Sequence, residues 1–166
     1  MPKRISLYVM LLVFVGVFLN HFSVQKKDNG YLLVVDGREV DAVGMFKDQW
    51  LVATRNCKHV QAVAPTSRKY LEIKQLVQAY SPPNSESAHL VSLMTTANWY
   101  LAEVKFKELL PAVVLIQQTD AGLQIVPNAI WSGETHPWRA GPYIRTYIST
   151  KVPHAPKAIL DCFEKS

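Results

Sequence analysis

Residues 67–80, SRKYLEIKQLVQAY, decide between two architectures. Ile73, Leu76, Val77 and Tyr80 recur at the three-to-four-residue spacing of one helical face. Ser81-Pro82-Pro83 follows, and two prolines in succession stop a helix. Read alone, the stretch is a helix lying on an antiparallel sheet, which makes the chain α+β. Read as a strand, it makes the chain mainly β.

On either side of it the pattern is β. Residues 31–35 are rich in β-formers, and Asp36-Gly37 signals a tight turn. Residues 38–46 return as a strand. In residues 44–57, GMFKDQWLVATRNC, two apolar runs flank Lys47-Asp48-Gln49, which reads as a hairpin feeding a buried strand at 49–54. Residues 99–107 alternate: Tyr100, Ala102, Val104 and Phe106 share one face, with Glu103, Lys105 and Lys107 on the other. The unbroken apolar run 112–116 predicts a strand buried on both faces. After a turn at 119–122, residues 123–126 return, and Pro127 keeps that strand's end off a central ladder position. Residues 131–142 read as a loop and 143–148 as a strand. A short helix over 156–164 puts Ile159, Cys162 and Phe163 on one face.

Composition narrows the function classes. With 49% hydrophobic residues the 166-residue chain buries a core as one domain or two small lobes, and 19% charge excludes a disordered tail. The net charge of +5 comes from scattered residues, so it reads as a solvated basic surface and not a nucleic-acid site. P-loop, dinucleotide-binding and metal-finger spacings are absent, and no cofactor or metal is expected. Lys3 and Arg4 precede an apolar run over 5–19 that ends at Asn20-His21. A spanning helix needs about 20 apolar residues, so residues 1–23 suit a signal peptide better than a retained anchor. Secretion is the first expectation and single-pass anchoring the alternative. A membrane partner follows only if the segment is retained. A polar leader over 24–30 follows it.

Trp50 and Cys57 in the 44–57 stretch resemble the strand that carries the catalytic histidine in chymotrypsin-like serine proteases. Residues 111–115, 123–126 and Trp131-Ser132-Gly133 are similar to a later hairpin of that family. Gly141-Pro142-Tyr143-Ile144-Arg145 is similar to its last strand. The resemblance covers about 31–96 and 111–166. It implies an antiparallel trypsin-like β-barrel, with an N-terminal lobe at 31–96, a truncated C-terminal lobe at 97–166 and a terminal helix. It also turns 71–80 into a strand, overriding the local helical period. The alternative, an α+β sheet with one helix at 67–80, has no protease ancestry. The catalytic positions are degenerate: Asn56 stands for the histidine, His89 (or Ala88) for the aspartate and Glu108 for the serine. Leu109 and Leu110 replace the oxyanion-hole glycines. The resemblance therefore implies an inactive homologue, a secreted regulatory module that binds a protein partner. The cysteine that would pair with Cys57 falls at Asp41. Cys57 is then a buried thiol, or it pairs with Cys162.

Trp131, Glu134, His136, Trp138 and Arg139 form the candidate binding loop, since aromatics with arginine anchor interfaces. The plainer reading has Trp131 and Trp138 covering the end of a sheet. A metal site from Glu134, His136 and His154, or a nucleophilic pair of Cys57 and His59, lacks supporting spacing.

Overall fold

The computed structural model describes residues 2–165. The chain forms two compact units, residues 1–46 and 47–166.

In the first unit, helix α1 (Pro2–His21) passes directly into strand β1 (Phe22–Lys27). That strand pairs antiparallel with β2 (Gly30–Val35), and β2 pairs with β3 (Arg38–Val40). Residues read as a polar leader are thus largely a strand. Asp36 and Gly37 have φ of 49° and 78°, the pair of left-handed residues that lets a two-residue turn follow the strand twist. The α1 end is tied to this turn: Asp36 N–H donates to the His21 carbonyl at 3.0 Å, and the two side chains meet at 2.5 Å. The described side chains of α1 begin at Tyr8. Lys3, Arg4 and residues 5–7, 18 and 19 lie outside them. Every large apolar side chain from Tyr8 to Val17 is 43–69% exposed. Among the described residues, no helix is long and apolar enough to cross a membrane.

The hairpin expected around Lys47-Asp48-Gln49 is instead helix α2 (Ala42–Thr54). Its start explains the difference. The Asp41 carboxylate accepts the Gly44 N–H at 2.7 Å, and the Asp41 carbonyl accepts the Met45 N–H at 2.9 Å, as an N-cap does. A Cβ on residue 44 would collide with that carboxylate, so glycine lets it fold over the first turn. Asp41, placed by the resemblance at a cysteine position, is a helix cap.

The second unit is built on a five-stranded antiparallel sheet. Its order is β4 (Gln61–Ala62), β5 (His89–Thr96), β6 (Trp99–Lys105), β7 (Ala112–Thr119) and β8 (Gly122–Ser132). Residues 67–80 are helical after all: α3 spans Arg68–Gln78. Ser67 caps it by accepting the Tyr70 N–H at 3.2 Å, and Ile73 and Val77, one turn apart, are buried. The local period prevails over the longer resemblance because that apolar face has a sheet to cover. Replacing Ser67 by alanine should cost about 1 kcal/mol in urea-unfolding stability.

Residues 143–148, read as a strand, lie within helix α4 (Ala140–Lys151). Pro142 sits in its first turn, where a missing N–H costs nothing, and Ile144 and Ile148 bury the same face. Helix α5 (Lys157–Asp161) realises the terminal helix.

The architecture is mixed, with antiparallel sheets and five α-helices, and no closed barrel forms among the described residues. It agrees with the α+β alternative and not clearly with a trypsin-like barrel. The second unit has three layers. Trp99, Leu101, Val113 and Leu115 pack with Ile144 and Ile148 of α4 and Ile159 of α5. Ala102, Val104, Val114 and Ile116 pack with Ile73 and Val77 of α3. Both faces of β7 are therefore buried, as its unbroken apolar run predicts. The same layering corrects the reading of β6. Glu103, assigned to an open polar face, is 1% exposed because α4 and α5 cover that face.

Candidate functional site

The structure divides the predicted binding loop. Trp131 belongs to the core, 5% exposed, with the Lys165 ammonium 4.9 Å from its ring centroid. Glu134 is exposed and lies outside the pocket lining. Thr135 is buried, and its carbonyl accepts the Trp138 N–H at 2.7 Å, closing a turn. That turn brings His136, Trp138 and Arg139 to one pocket of about 500 Å³, beside the first residues of α4.

The chemistry of the pocket centres on Asp48, which α2 supplies. Its carboxylate accepts from Arg145 at 2.6 Å and from Arg139 at 3.2 Å. Arg145 is itself buried and donates its other terminal nitrogen to the Phe163 carbonyl at 2.9 Å. One guanidinium thus ties α2, α4 and the segment after α5 together. Gly141 permits the approach, since a Cβ there would lie 3.1 Å from Arg145 and 3.2 Å from Asp48. Burial raises the Asp48 pKa, but the hydrogen bonds from Arg145 and Arg139, aided by their charge, outweigh it and hold the carboxyl below its ordinary value. Lys165 and Glu164 complete the charged lining, leaving positive charge in slight excess.

The degenerate protease positions are dispersed over the fold. Asn56 follows α2, exposed, and its side-chain oxygen accepts the Lys58 N–H at 3.2 Å. His89 opens β5, and Glu108 is exposed in the loop between β6 and β7. Cys57 and Cys162 form a disulfide with Cα atoms 5.8 Å apart, so neither is a buried free thiol and a Cys57–His59 nucleophile is ruled out in this state. His154 stacks edge-on against Trp99, 5.7 Å between ring centroids. Among the described residues no cluster of His, Cys, Asp or Glu is placed to hold a metal ion.

Sequence reasoning missed Asp48 and Arg145. Asp48 was hidden in an apparent turn. Arg145 carried a usable signal: it lies between Ile144 and Ile148 on a face that spacing alone would bury. A cation so placed needs a carboxylate from elsewhere in the chain.

Fold and site define an antiparallel α+β domain, helices on both faces of its sheet, with an arginine-centred pocket at the start of α4. No family model matches the chain, and neither a curated protein nor a solved structure gives a match.

Proposed function

We propose that this chain is an extracytoplasmic α+β binding module that retains its N-terminal helix and has no catalytic activity. It would hold a protein partner at the Asp48–Arg139 pocket. The observation that carries the reading is the convergence of Trp138, Arg139 and His136 on one pocket beside a buried arginine. Trp138 offers a half-buried aromatic anchor, and Arg139 a guanidinium on the open side. An acidic or carboxamide side chain of a partner suits that combination. The reading does not draw on the chymotrypsin-like resemblance, because two of the segments quoted for it, 44–57 and 141–145, are largely helical.

Export is supported by the disulfide, a bond that persists in oxidising compartments. Retention of α1 is supported by its direct join to β1. Cleavage near Val24 would cut inside β1 and remove two of its six pairs with β2, Phe22–Val35 and Ser23–Val34. N-terminal sequencing of exported protein should therefore find α1 retained, and a mature start near Val24 would sink that reading. For the site, a photo-crosslinker replacing Trp138 should give one discrete protein adduct. Arg139→Glu should abolish it. An adduct unchanged by that substitution, or none at all, overturns the assignment.

A further inference from the structure

A single short helix cannot cover one face of a five-stranded sheet. The 11 residues of α3 extend about 16 Å, and a helix is about 10 Å wide. Five strands set about 4.8 Å apart span about 19 Å between the outermost axes. Part of the face over β7 and β8 is left uncovered, beside the loop between β6 and β7. A cavity of about 420 Å³ opens there, with Val77, Phe106, Val114, Ile125 and Ile130 among its walls. Leu109 and Leu110, on the loop between β6 and β7, also line it and are 40% and 53% exposed. The hydroxyl of Ser85 is already engaged, accepting the Ser81 N–H and donating to the Gln78 carbonyl. Among the lining residues Glu108 alone carries a charge at neutral pH, and Lys107 beside it is not part of the wall.

We propose that this cavity binds a single-chain amphiphile with a cationic head. The volume falls in the range of small-molecule sites, at about 300–1,000 Å³. It is too small for a partner helix some 10 Å across. Apolar walls take the hydrocarbon tail, and burying each methylene is favourable by about 0.8 kcal/mol. The exposed Glu108 carboxylate sets the sign of the head: it attracts an ammonium group and repels a fatty-acid carboxylate. The site is independent of the Asp48 pocket, and its test reads a different ligand.

The test is displacement of the neutral probe N-phenyl-1-naphthylamine from the full chain by dodecylammonium or dodecanoate, each below its micelle concentration. One saturable probe site per chain is expected, with dodecylammonium binding roughly two- to fivefold tighter than dodecanoate, the scale of an exposed charge contact. Glu108→Lys should reverse that order, and Ala112→Phe, which fills the cavity, should abolish probe binding. If Ala112→Phe fails to fold, the exposed Glu108→Lys variant still decides the matter. The proposal is overturned if there is no saturable site or if the two ligands bind equally. It is also overturned if the order persists in Glu108→Lys, in which case the ligands sit on the exposed apolar stretch of α1.

Discussion

Replacing Cys57 and Cys162 together by alanine lowers stability by about 4–5 kcal/mol, the largest loss expected of any change in this chain. The two cysteines are 105 residues apart, and a crosslink closing about 100 residues removes roughly 4.7 kcal/mol of unfolded-chain entropy on the loop-closure model. The loop includes the whole five-stranded sheet, α3 and α4. Its site amplifies the effect locally. Cys162 follows α5 directly, next to Phe163, which is buried at 1% exposure and whose carbonyl accepts from Arg145. Urea unfolding with and without reductant, compared with the double-alanine variant, measures it. Reduced wild type and the variant should unfold at the same lower midpoint. A midpoint indifferent to reductant would mean that the bond does not form in solution.

Asp48→Ala is expected to cost about 2–3 kcal/mol, because it leaves the buried Arg145 with only the Phe163 carbonyl. Removing one member of a fully buried pair costs about 3–5 kcal/mol. The Asp48 side chain is 21% exposed, so water softens the loss. The pair also predicts a pH dependence. Burial opposes ionisation of Asp48, yet the arginine hydrogen bonds prevail and its folded pKa lies below the ordinary aspartate value. Its contribution is therefore complete above the unfolded carboxyl pKa, near 3.9, and is lost as pH falls through the lower folded value. Above about pH 5 the pair adds no slope. Asp48→Asn removes the ionisable group, so the gap between wild-type and variant stability should be constant from pH 5 to 7 and shrink in stronger acid. A gap that persists in acid would rule out the carboxylate as its source.

Much of the fold was legible where local chemistry and burial agree. The turn at Asp36-Gly37, the doubly buried run 112–116 and the terminal helix each follow from a few adjacent residues. Residues 67–80 were legible too: the local period was right, and a longer pattern displaced it. At Asp41 and Pro142 the helix starts announced themselves by local chemistry, yet Asp41 was read as part of a strand and Pro142 as the end of a loop. The candidate site was less accessible. His136, Trp138 and Arg139 are neighbours in sequence and could be picked as a group. Asp48 lies 97 residues from Arg145, and no period or spacing connects them. The buried Glu103 fails for a related reason, since alternation along a strand is blind to a second helix layer.

Strand β8 is an outer strand of the sheet, and such a strand normally offers a template for another chain. Here its ladder is broken midway. Pairing passes from Val114–Ile130 to Ile116–Ile125, so residues 126–129 bulge opposite Leu115. Pro127 within the bulge has no N–H to give, and Asn128 turns the backbone left-handed with φ of 62°. At the other rim, β4 is two residues long. Neither rim offers a long, straight row of free amides. Molecules crowded side by side would thus find no ready pairing template along either rim of this five-stranded sheet.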